Sequence, residues 1–318
     1  MVAFMKRLIA ALAAGYILMY FSELMFWASY DPDGMALSQL LITYIAYSVL
    51  ALVFLSVVNY FKVHTVWSLF LAGALYGFLG EGLLVQTLYG TPDIAFPLTI
   101  SWTSLAWHSL ITILIGWFVV RKNLVSGSIM RMGVVSTLIG IGYGFWAVMW
   151  LYEPGHRMNV LLLSGDVNGA IVKFFIFALL STLPLIPAYW IATHPSFSVS
   201  RPSRTEVFIL SAIFILYFIL VTLKVNQTAL FILPVLITLT LLALNQHKKH
   251  TLKPSYSESL VGKVGWWRYL VVLNIPIVAT IVFTILTLSG VNYHSNLVVF
   301  YTTTALGFIA YIVSVLKV

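Results

Sequence analysis

Ten stretches of about twenty mainly apolar residues follow one another along this 318-residue chain, separated by short polar connections. About twenty residues is what an α-helix needs to cross the hydrocarbon core of a bilayer. Lipid offers no partner to a free backbone N–H or C=O, so a chain crosses it as helices or as a closed barrel. The stretches are residues 8–29, 36–60, 66–89, 96–120, 132–151, 169–192, 207–223, 229–244, 269–288 and 296–316. The seventh and eighth are short and joined only by residues 224–228, which fits either two crossings or a re-entrant hairpin. The expected fold is an all-α polytopic transmembrane bundle of about ten helices.

Composition agrees with this reading. Hydrophobic residues make up 61% of the chain and charged residues 8%, with a mean hydropathy of +1.01. Soluble domains are about half apolar and about one quarter charged. The apolar stretches leave no room for an extramembrane domain, so residues 1–318 read as one integral membrane domain. Within it, residues 1–193 hold helices one to six with the intramembrane polar groups. Residues 194–318 hold helices seven to ten and a basic connection at 245–267. Lys6 and Arg7 before an apolar run resemble a signal peptide, but the run continues to Trp27 without a small-residue cleavage site and reads as a retained helix.

The formal charge of +8 would suggest nucleic acid in a soluble protein. Here the basic residues fall in the connections between spans, so no nucleic-acid partner is expected. With the N-terminus inside, every Lys and Arg except Arg157, Lys173 and Lys224 lies on the cytoplasmic side. Asp31, Asp33, Asp93, Glu153 and Asp166 fall at the opposite ends, with only Glu206 and Glu258 inside. Both termini are expected in the cytoplasm and the chain in the plasma membrane. The connection at 245–267 carries His247, Lys248, Lys249, His250, Lys253 and Lys263, and ends in paired tryptophans. It reads as a surface loop attracted to anionic headgroups, with solvated histidines and about 1 kcal/mol per basic residue.

Ionisable side chains inside spans are costly and usually face a cavity or a partner. Glu23, Glu81 and His108 lie in the first, third and fourth stretches, with Glu153 just past the fifth. At the helical rise per residue, Glu23 is roughly 9 Å, Glu81 roughly 12 Å and His108 roughly 18 Å from the outer ends. An outward-opening polar cavity among helices one, three, four and five is expected. Ser101, Ser104, His108 and Thr112 share one face at spacings of three and four, leaving Trp102, Trp107 and Trp117 to face lipid or neighbouring helices. Gly73 and Gly77 on the third helix, and Gly133, Thr137, Gly140 and Gly144 on the fifth, predict that these two helices pack closely. Pro184, Pro187, Pro234 and Pro276 mark irregular helices.

The candidate binding residues are therefore Glu23, Glu81, Ser104, His108, Thr112 and Glu153, with Glu81 and His108 as candidate catalytic residues. His108 and the carboxylates are also competent metal ligands, although neither a metal nor a cofactor is assigned. The chain has no cysteine, Walker loop, Rossmann fingerprint or HExxH motif. An acid in one span and a histidine in the next resembles the CAAX-protease-like membrane family over about two helices. Glu81 stands between Gly80 and Gly82 without a second Glu, Ser104 replaces the aromatic residue before His108, and no later intramembrane histidine follows. Three functions fit: a transporter or permease, an enzyme acting on a lipid or membrane peptide at the outer leaflet, or a noncatalytic assembly subunit.

Overall fold

The computed structural model describes residues 2–29, 37–197, 203–290 and 296–318. Among them are ten helices long and apolar enough to cross a membrane, and no strand. They are α1 (Phe4–Trp27), α2 (Ser38–Tyr60), α3 (Val66–Leu84), α4 (Ile100–Ser126), α5 (Ile129–Leu151), α6 (Val167–Thr193), α7 (Thr205–Val225), α8 (Ala229–Lys249), α9 (Trp267–Leu288) and α10 (Val298–Lys317). The protein is thus an all-α polytopic helical bundle. Asp31, Asp33 and Arg201, used above for orientation, lie outside the described residues.

Helix ends follow local chemistry. The Thr65 and Ser68 side chains cap each other's backbone N–H groups and start α3. α3 stops at Leu84 rather than 89 because Gln86 adopts a left-handed conformation (φ 69°), and a tight turn follows at Thr87–Tyr89. α7 and α8 each extend over 21 residues, longer than the apolar runs suggested, and are long enough to cross rather than form a hairpin. Pro184 interrupts the regular turns of α6, between Val167–Thr182 and Leu185–Thr193.

α1, α3 and α4 occupy the middle. α1 packs on α2, on α4 and on the second half of α6; α3 packs on α4, α8 and α10; α5 and α6 pack on α9. α7 is peripheral, tied by a bidentate Arg7–Glu206 ion pair at 2.7 and 2.9 Å and by Thr222 donating to the Leu83 carbonyl at 2.9 Å.

The glycine rows pair differently from the expectation. Gly77 lies against the α4 backbone at Ser104, while Gly140 and Gly144 lie against α9 at the Ile275 and Ala279 carbonyls. α3 and α5 are therefore not partners through these rows. A glycine row reports that some backbone comes close, but which helix supplies it is set by the whole bundle.

The polar stretches of α1, α3 and α4 share one further property. Tyr20–Leu24, Phe78–Leu84 and Ile100–Val120 are wound as π-helix, with wider turns than the α form. Their residues include Ser22, Glu23, Glu81 and His108. This winding also explains why the polar stripe of α4 does not stay on one contact. Ser101 donates to the Thr304 carbonyl of α10, Ser104 faces Gly77 of α3, and Thr112 meets Ser22 of α1.

A side chain at position 144 would place its Cβ 2.3 Å from the Ala279 carbonyl, whereas position 133 has open space. Gly144→Val is expected to destabilise the fold by about 1–3 kcal/mol. Gly133→Ala is expected to be neutral or stabilising by up to about 1 kcal/mol. Unfolding of both variants in detergent, compared with the parent, measures this.

Candidate functional site

A carboxylate accepts hydrogen bonds and donates none when ionised, so Glu81 fixes the imidazole opposite it. His108 Nε2 lies 2.6 Å from Glu81 Oε1, with both side chains buried. The second oxygen of Glu81 accepts from the Thr87 hydroxyl, supplied by the turn after α3. The other ring nitrogen, Nδ1, lies 3.0 Å from Ser22 Oγ on α1. Ser22 Oγ in turn lies 2.9 Å from Thr112 Oγ1, and Thr112 lies 3.2 Å from the Trp107 carbonyl. The Tyr76 ring meets the imidazole edge-on at 5.4 Å.

This chain of groups has two consistent hydrogen-bond polarities. With neutral His108, Nε2–H donates to Glu81, Ser22 donates to Nδ1, and Thr112 donates to Ser22. With protonated His108, Nδ1–H donates to Ser22, Ser22 donates to Thr112, and Thr112 donates to the Trp107 carbonyl. No heavy atom has to move, because hydroxyls reverse by rotation. Proton uptake at the imidazole thus reverses the hydroxyl dipoles of Ser22 on α1 and Thr112 on α4.

The pair stands at the base of a cavity of about 720 Å³. α1, α3, α4, α5 and α10 line it, together with the segment between α3 and α4. It opens at the end of the bundle where α1, α3 and α5 finish, opposite the two termini. Below the site, toward the termini, aromatic side chains fill the space between α1, α2 and α4. Phe21 lies flat enough on Gly116 that a Cβ there would sit 2.5 Å from the ring, and Trp117 and Phe54 are buried edge-to-face at 5.0 Å.

The six residues singled out from the sequence separate into three groups. Glu81, His108 and Glu23 line the cavity, and Glu153 lines it at the exposed rim. Glu23 accepts from Tyr47 at 2.7 Å and from Trp27 at 3.0 Å, which satisfies a carboxylate set within a span. Thr112 stands behind Ser22 as a relay. Ser104 does not line the cavity; its hydroxyl is buried without a hydrogen-bond partner among the described residues, where α4 presses on Gly77.

Several site residues were missed. Ser22 is the most consequential, and its adjacency to Glu23 was the available signal. Asp93, Thr87 and α10, through Phe300 and Tyr301, also line the cavity, so the site is not confined to helices one to six. Trp102 and Trp107 were assigned to lipid or helix contact but line the cavity as well, with Trp27, Trp146 and Trp150. Their position follows from hydrogen bonding. α1 ends at Ala28 in a left-handed conformation, and Trp146 and Trp150 donate to the Phe26 carbonyl at 2.7 and 2.6 Å. His156 Nε2 meets the Trp27 carbonyl at 3.1 Å, so this histidine holds the rim in place.

In the basic connection Lys249, His250, Lys253 and Lys263 are exposed, as expected of a solvated loop, but His247 and two serines are not. His247 is buried in the last turn of α8 and stacks on His64, with ring centroids 4.7 Å apart. Ser255 and Ser257 both donate to the Asn59 side chain, pinning the connection to α2. Among the described residues no group of three His, Cys, Asp or Glu side chains is arranged to hold a metal ion. No protein-family model matches the chain, and comparison with characterised proteins and with solved structures gives no significant match.

Removing the imidazole would leave Glu81 buried with only Thr87. His108→Ala is expected to cost about 3–5 kcal/mol, and adding Glu81→Gln to recover part of that loss, because the stranded charge is then gone. A double-mutant cycle on unfolding in detergent reads both values.

Proposed function

We propose that the protein is a secondary transporter or permease of the cell membrane, with both termini in the cytoplasm and the chamber open to the outside. The observation that carries this reading is the Glu81–His108 pair at the base of a chamber that opens at one end, with packed aromatic rings between it and the other end. A transporter in one half of its cycle needs a central binding site, one open path and one closed path. A titratable pair at the junction supplies a way to link the cycle to protons. The orientation rests on the distribution of Lys and Arg. The basic residues around 245–267 would then face anionic cytoplasmic headgroups.

A second reading is supported by the order hydroxyl, imidazole, carboxylate in Ser22, His108 and Glu81. That order is the nucleophile, base and orienting acid of a hydrolase acting on a lipid or membrane peptide. Ser22 is also held by Thr112, which suits a relay more than a free nucleophile.

Sealed vesicles carrying the protein, given a small-molecule extract and an imposed pH gradient, are expected to accumulate a solute that protein-free vesicles do not. Glu81→Gln and His108→Ala should each lower this accumulation by about tenfold or more, equivalent to about 1.4 kcal/mol at the site. Unchanged accumulation in both variants would overturn the reading. Lipid or peptide cleavage in detergent that is lost in Ser22→Ala would favour the enzyme instead.

A further inference from the structure

We infer that the chamber takes an organic cation, an ammonium or quaternary ammonium group carried on an apolar body. This rests on the reading of the chamber as the substrate site and names the class of ligand.

The first observation is the segregation of charge. The chain has 17 Lys and Arg against 9 Asp and Glu. Among the described residues the cavity nevertheless draws four of those acids, Glu23, Glu81, Asp93 and Glu153, and not one Lys or Arg. Asp93 and Glu153 are exposed at the mouth, Glu23 is half-buried, and Glu81 is buried at the base. Carboxylates graded from rim to floor between low-dielectric walls focus a negative potential along the path a cation would take. An anion would meet that field as a barrier.

The second observation is independent of the acids. One wall is a continuous aromatic surface built around Phe26, Trp102, Trp107 and Trp146. The three indoles meet one another at interplanar angles of 58°, 41° and 47°, with centroids 6.0, 6.1 and 4.9 Å apart, so none is stacked over another's face. Trp107 and Trp146 are buried behind this surface, whereas Trp102, Trp27 and Trp150 are only part-buried where they line the cavity. Indole faces attract cations through the ring quadrupole.

Hydrogen bonding then separates an organic cation from a metal ion. Hard cations such as calcium need six or more oxygen ligands. The oxygens of Glu81 and Glu23 are already engaged by His108, Thr87, Tyr47 and Trp27. A bare ion would lose its hydration and find few free ligands. An alkylated ammonium has little hydration to lose and needs only field and rings. A volume of about 720 Å³ exceeds what an ammonium head alone requires and falls in the range of sites for drug-sized molecules, so the head carries a body.

Five of the ten tryptophans line the cavity, so intrinsic fluorescence reports its occupancy. The purified protein would be titrated in detergent with benzyltrimethylammonium, its neutral carbon isostere neopentylbenzene, and the anion benzylsulfonate. Saturable quenching by the cation is expected at an affinity about tenfold or more above the other two. Trp102→Leu, and separately Asp93→Asn combined with Glu153→Gln, should weaken it several-fold, while Trp266→Leu at the opposite end should not. The rim carboxylates are exposed, so their replacement leaves the fold intact. Equal affinity for the three probes, or cation binding indifferent to the chamber variants, would overturn the inference. Cation binding without gradient-driven uptake in vesicles would keep this inference and remove the transport reading. Gradient-driven uptake of only neutral or anionic solutes would do the reverse.

Discussion

A carboxylate buried within a membrane span has to be answered by another group, and in this protein the contact between Glu81 and His108 is that answer. An isolated charge in the bilayer costs several kcal/mol at least, so the pair constrains which helices can be neighbours. α3 and α4 must meet at the height of these residues, and Gly77 and Gly73 let them do so. The second imidazole nitrogen then requires a partner of its own, and Ser22 brings α1 into the same contact. The three central helices of the bundle are those whose polar groups complete this one network.

The local winding of those helices serves the same end. A π-helical turn shifts side chains around the axis relative to the α form, and such turns recur at functional sites. In α1 it presents Ser22 and Glu23 on adjacent faces, one toward His108 and the other toward Tyr47 and Trp27. In α4 it spreads a row of small polar residues over three neighbouring helices. The surrounding helices α2, α5, α6, α8, α9 and α10 supply close packing, and the end of α5 supplies indoles that satisfy the Phe26 carbonyl at the end of α1 and form the cavity wall at once.

Much of the architecture was legible in the sequence because the bilayer imposes a length on each apolar run. Ten stretches became ten helices, and the ends missed were those set by one backbone conformation, as at Gln86, or by polar residues continuing a helix, as at His247 to Lys249. Scarcity made Glu81 and His108 legible as well, since few charged groups sit within spans. Azimuth was not legible. Hydropathy reports how long a helix is and says nothing about which neighbour a given side meets. The Gly140 and Gly144 row was therefore assigned to α3 instead of α9, and Trp102 and Trp107 were set outside the site. Ser22 was passed over because a serine is unremarkable until a ring nitrogen is found 3.0 Å away.

The central claim is that the Glu81–His108 pair stands at the base of a water-accessible chamber open at one end only. The chain lacks cysteine, so a single introduced thiol reports water access without background. Ser22 and Ser104 are both buried, yet Ser22 lines the cavity while Ser104 is sealed between α3 and α4. Ser22→Cys and Ser104→Cys would be treated with a membrane-impermeant methanethiosulfonate from each side of intact vesicles. Modification of Ser22→Cys alone, and only from the side opposite the termini, is the expected result. An inert Ser22→Cys, or equal modification of both thiols, would contradict it.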